Sequence, residues 1–140
     1  MRWKQVAVAQ VLILVALGAG CGPKDVRFSR DVHPILQKHC MSCHSPGGEG
    51  HAASGFSVVS YESMMTGTKF GPVIVPGSSI SSTLVILIEH KADSSINMPR
   101  PTKRALAEHE KFLKDWKTPM LPADDINLIR DWIDAGAKNN

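Results

Sequence analysis

Apolar residues recur along this chain with periods that predict helices. Phe28, Val32, Ile35, Leu36 and His39 lie three and four apart, the mark of one amphipathic helix face. Pro34 is tolerated only in a first turn, so regular helix should begin near Asp31 to His33, with Ser29 or Asp31 as its cap. Ser45 to Gly55 holds Pro46 and four glycines and predicts a loop. Ser60 to Gly67 predicts a short helix, capped by Ser60 and ended by Gly67, with Met64 and Met65 as packing residues. Pro76-Gly77 predicts a turn. Thr83 to Ile88 is apolar or β-branched throughout, and periodicity alone does not separate buried strand from buried helix there. Leu106, His109, Leu113 and Trp116 share a face and predict an amphipathic helix over 102–117. Ala123 to Ala135 predicts a closing helix, with Asp124 and Asp125 in its first turn and Ile126, Ile129, Trp132 and Ile133 as its buried stripe.

The first residues follow another pattern. Arg2 and Lys4 precede an apolar run, Val6 to Leu17, broken only by Gln10 and followed by Gly18-Ala19-Gly20-Cys21. The run is shorter than the ~20 residues that span a bilayer and fits a signal peptide, residues 1–20. Its end resembles a bacterial lipoprotein signal, which implies lipidation of Cys21 and a tether over 21–27. Acyl chains on Cys21 would hold the following domain, 28–140, at a membrane surface without spanning it.

Composition narrows the picture modestly. A length of 140 residues suggests one domain, and 16 basic against 13 acidic residues give a net charge of +3. Without Arg2 and Lys4 the excess falls to +1, so nothing points to nucleic acid. No Ser/His/Asp set, carboxylate pair or phosphate loop stands out to argue for a hydrolase or kinase.

The chemistry concentrates at Cys40-Met41-Ser42-Cys43-His44. This is Cys-x-x-Cys-His, the attachment pattern of c-type haem. Two thiols at this spacing can add across the two vinyl groups of one porphyrin, and the next residue then lies under the iron as proximal ligand. A zinc site would need a second cysteine pair, which the chain lacks, since its third cysteine is Cys21. With Cys40 and Cys43 taken by haem, Cys21 has no disulfide partner, and lipidation accounts for it.

Phe28-Ser29-Arg30-Asp31-Val32-His33-Pro34-Ile35-Leu36, the haem motif, Pro76-Gly77 with Ser82 and Leu84, and Trp132-Ile133-Asp134-Ala135-Gly136-Ala137 together resemble the planctomycete-type cytochrome c domain. The resemblance implies an all-α, class I cytochrome c-like fold with helices around one covalent haem c, and it makes 82–90 a helix. It implies that Met98, in Asn97-Met98-Pro99-Arg100-Pro101, is the distal iron ligand opposite His44. Met120, also flanked by prolines, is the competitor; His33, His39 and His51 are spare histidines. Residues 102–118 depart from the family pattern as an insertion, with Lys103, Arg104, Lys111, Lys114 and Lys117 outweighing its acids, either an outer face or a docking element. The expectation is an electron-transfer protein rather than an enzyme, exported to the periplasmic face of a bacterial membrane. Its partners would be redox proteins, among them a membrane respiratory complex. The alternatives are a gas sensor or peroxidase-like protein with an open distal site, and a structural haem subunit of a respiratory assembly.

Overall fold

A computed structural model describes residues 25–102, Ala107 and 120–140. Among these the regular elements are helical, and a lone antiparallel bridge between Thr68 and Gly71 is the nearest approach to a strand. In chain order the helices are α1 (His33–His39), α2 (Glu49–Ser54), α3 (Tyr61–Thr66), α4 (Thr83–Ile88) and α5 (Ala123–Asp134). The architecture is all-α, as expected.

The first apolar stripe forms in two parts. Phe28–Val32 is a π-helical turn, closed where the His33 N–H donates to the Phe28 carbonyl, and α1 continues from it with Pro34 in its first turn. Neither expected residue caps it in the usual way. Arg27 holds the N-cap position, and Asp31 reaches back to accept the Arg27 N–H at 2.8 Å. The wider turn swings Phe28 and Val32 inward together, both buried.

Ser60 caps α3 as the sequence predicts, through a capping box with Ser63, and Gly67 ends it. Gly77, with φ of +85°, makes the turn in which the Ser78 N–H donates to the Val75 carbonyl. The ambiguous run is helix α4. Ser82 precedes it, but its hydroxyl serves the preceding turn instead, accepting from Val75 N–H and donating to the Ser78 carbonyl. The Ser45–Gly55 segment holds a turn of helix, α2, that the glycine-rich composition conceals.

The core gathers on α5. Ile126, Ile129, Trp132 and Ile133 are buried, with Leu128 partly so, as the period predicts. The π-helical turn and α4 both pack on this helix. Phe28, Tyr61 and Trp132 form a ring cluster, with centroids 5.3 Å (Phe28–Tyr61) and 5.4 Å (Phe28–Trp132) apart. Burying Phe28, Leu36, Met64 and Val85 contributes roughly 1.5–3 kcal/mol per side chain.

Polar bonds fix the Trp132–Ala137 stretch. The Trp132 Nε1–H donates to Lys138 O, the Tyr61 hydroxyl to Ala137 O, and the Gly77 N–H to Ile133 O. Ser79 gives its N–H (2.6 Å) and its hydroxyl (2.8 Å) to the two oxygens of Asp134. A proline at 79 would supply neither bond. The expected signal peptide, Cys21 and nearly all of the expected 102–118 insertion lie outside the described residues.

Candidate functional site

A cleft of about 220 Å³ opens beside α1 and α4. His39, Cys40, Cys43 and His44 line one part of it. Phe56, Val73, Leu84, Leu87 and Ile88 give it an apolar wall, and Met98, Pro99 and Arg100 line the rest with Leu121. The structure thus brings all four residues singled out for iron and porphyrin to one cavity, 58 residues apart at their widest along the chain (40 to 98).

The Cys40–His44 segment is built by local backbone bonds. Helix α1 ends as the Cys40 N–H donates to Leu36 O at 2.9 Å. The chain then coils once, so that the N–H groups of Cys43 (3.1 Å) and His44 (2.8 Å) share the Cys40 carbonyl. The next turn returns: the His51 N–H bonds Cys43 O and the Val58 N–H bonds His44 O, both at 2.9 Å. Every carbonyl of the three motif residues is therefore spoken for.

Two glycines make this packing possible. A Cβ at Gly48 would collide with the Cys43 carbonyl. One at Gly50 would stand 2.6 Å from Cε1 and 2.9 Å from Nε2 of His44. The His44 ring also meets Phe56 edge-to-face at 5.3 Å. Its Nδ1 is buried without a hydrogen-bond partner. Burial lowers the His44 pKa, the nearby Phe56 backbone works the other way, and His51 adds to the lowering. The imidazole is therefore held neutral, the form that can donate a lone pair. Burial, with Cys43 adjacent, pushes the Cys40 thiol up to about 11, and both cysteines are free of disulfide.

Met98 is held differently. After α4 the chain turns at His90, whose φ is +54°. Asn97, buried, pins the loop: its Oδ1 accepts the Ala92 N–H at 3.1 Å and its Nδ2 donates to Ala92 O at 3.2 Å. The Met98 N–H then donates to Leu87 O at 3.1 Å, and the Met98 carbonyl accepts from His90 Nε2 at 3.0 Å. The Met98 side chain is half-buried against the core.

The remaining candidates fall elsewhere. Met120 is 53% exposed and does not line the cleft. His33 stacks on Phe28 at 5.3 Å. His39 lines the cleft, but its Nε2 is 3.2 Å from Asp125 Oδ2, tying α1 to α5. His51 is half-buried in α2 and outside the lining. Two contributors escape sequence reasoning. Gly50 hides among loop glycines, and His90 sits in no periodic pattern; only the fold brings them to His44 and Met98.

These residues fit a c-type haem. Paired free thiols, a neutral imidazole with a glycine cradle against its ring, an apolar wall and a thioether share one cavity. Comparison with known proteins agrees. Residues 40–102 match the family model of planctomycete cytochrome C. That span begins at the first haem-motif cysteine and includes Met98. The family implies covalently bound haem c and haem-based electron transfer. The chain is also 29% identical over 135 residues to hydrazine synthase subunit alpha of Kuenenia stuttgartiensis. That alignment covers 82% of this chain but 16% of the relative, so the chain spans about a sixth of that protein's length. No solved structure matches.

Proposed function

We propose that this chain is a mono-haem c-type cytochrome of class I-like fold that carries single electrons at the periplasmic membrane face, anchored by lipid on Cys21. The convergence of Cys40, Cys43, His44 and Met98 on one apolar cleft carries the reading.

Bound haem c supplies a one-electron iron couple. The protein's share is to hold, ligate and shield it. Cys40 and Cys43 provide the thioethers, and the single coil of backbone between them fixes their spacing. His44, neutral and wedged between Gly50 and Phe56, is set as the proximal ligand. Met98 offers a thioether sulfur from a residue whose own N–H and carbonyl are already paired. Sulfur favours the reduced metal relative to a second imidazole and raises the potential. Ligation by His44 and Met98 together would leave no open site for oxygen or peroxide, which favours electron transfer over gas sensing or peroxidation. Leu84, Leu87 and Ile88 give the cleft an apolar wall suited to the face of a porphyrin.

The test is the visible spectrum of the purified mature protein beside Met98→Ala and Met120→Ala. A weak red band of sulfur–iron ligation in the oxidised protein, lost only in Met98→Ala, is the expected result. A band that is absent or follows Met120, or a CO complex formed readily on reduction, overturns it in favour of an open or differently ligated haem.

The likeness to a subunit of hydrazine synthase favours a second reading, a haem subunit of a larger redox assembly. Extraction in mild detergent separates the two: a carrier purifies alone, an assembly subunit with fixed partners.

A further inference from the structure

We infer that His90 is the positioning residue that keeps Met98 on the iron, acting through a hydrogen bond to the Met98 main chain; this rests on the reading of Met98 as distal ligand. A carbonyl can only accept, so the 3.0 Å contact between His90 Nε2 and Met98 O requires the proton on Nε2. The bond closes a ring of nine residues, 90 to 98, at the mouth of α4. Inside that ring Asn97 ties itself to Ala92 through both side-chain atoms, and the Ile96 and Asn97 N–H groups both turn onto Asp93 O. Outside it, the Met98 N–H is anchored to Leu87 O, on the last turn of α4. With N–H and carbonyl both engaged, the Met98 backbone is pinned at two points, and its side chain alone keeps freedom.

The conformation of His90 argues for the same role. Its φ of +54° lies in the left-handed region, which non-glycine residues enter rarely. Glycine would take that turn at lower cost. The imidazole, half-buried and aimed back at Met98 O, is what a histidine gives there and a glycine does not. A mobile methionine loop lets the sulfur leave the iron and outside ligands enter; a pinned one opposes them.

The experiment uses the oxidised holoprotein and two readouts, the intensity of the sulfur–iron band and the affinity for added imidazole. Four variants are compared with the parent: Met98→Ala, His90→Ala, His90→Gly and His90→Gln. Loss of one such hydrogen bond should raise imidazole affinity about fivefold and weaken the band in His90→Ala and His90→Gly. His90→Gln, which keeps an N–H donor, should stay closer to the parent than either. His90→Gly relieves the backbone at this turn, so its failure to match the parent separates the side-chain bond from backbone strain. A Met98-dependent band with imidazole affinity unchanged in both His90→Ala and His90→Gly overturns the inference alone, and so does a Gln variant no better than Gly. A band that survives Met98→Ala overturns the ligand reading and this inference with it.

Discussion

The Cys40–His44 wall and the Met98 loop serve one cleft by opposite means. The first is almost all local. Its bonds run from 40 to 36, 43 and 44 to 40, 51 to 43 and 58 to 44, and two glycines leave no space, Gly48 against the Cys43 backbone and Gly50 against the His44 ring. The second is a loop tied by side chains, Asn97 to Ala92 and His90 to Met98, and anchored to a helix eleven residues back. The local wall resists deformation by steric exclusion, whereas the loop depends on a few polar bonds. An iron ligand that must never leave suits the first construction. One whose hold is to be adjustable suits the second.

Four substitutions or conditions test that contrast. The largest effect is expected from Cys43→Ala, which removes one of the two thioether positions: haem should then be retained by a single bond, and the haemochrome spectrum should show one vinyl group unreacted. A spectrum identical to the parent's would break the assignment of the wall. Next is Gly50→Ala, which drives a methyl against the His44 ring and should destabilise the holoprotein by about 1–3 kcal/mol in denaturant unfolding, with a lowered yield of haem-loaded protein. Asn97→Ala should cost less, about 1–2 kcal/mol, because water can reach part of the loop to replace the lost partners of Ala92. If Asn97→Ala proves the costlier of the two, the contrast is reversed.

The smallest effect is acid sensitivity. Asp31, near the start of α1, is held at about 2 by the Arg30 side chain and then by the Arg27 N–H. Glu89, beside the Met98 loop, is also held below its ordinary value, chiefly by Lys91, with burial opposing and Arg130 assisting. A depressed carboxylate adds stability above its unfolded pKa and loses it as pH falls through the folded one. Glu89 should therefore begin to cost stability just below pH 4.5, and Asp31 between 3.8 and about 2. Both carboxylates are half-buried at the surface and still reached by solvent, so the slopes will be shallow and flatten in salt. Denaturant midpoints of Asp31→Asn and Glu89→Gln against pH check the two windows; parent-like slopes in both would remove these pairs from the account.

Much of this was legible beforehand because its signals are short-range. The stripe of α5 follows one helical period, Ser60 and Gly67 bracket α3 by backbone chemistry, and Cys-x-x-Cys-His names its own cofactor by spacing. Helix α2 was hidden because the glycines that forbid a helix on propensity are required by contact with Cys43 and His44. The capping by Asp31 was misjudged because a π-helical turn displaces the usual register by one residue. His90 left no trace at all, since a left-handed histidine after an apolar run resembles any other polar loop residue until the fold folds it back. Met98 lay between these cases, suggested by likeness and a following proline and brought to the cleft by tertiary structure.

The π-helical turn that opens the fold is bonded directly to residue 140. The Phe28 N–H bonds to the Asn140 side chain at 2.8 Å, and both the N–H and hydroxyl of Ser29 bond to Asn140 O. Chain entering at residue 28 and chain leaving at 140 thus pass through the same doorway. A unit with one doorway can be spliced into a longer polypeptide, or have its ends joined and be reopened elsewhere, with little disturbance to what lies inside. Evolution can move such a haem-holding unit between chains as a cassette, and an engineer can do the same.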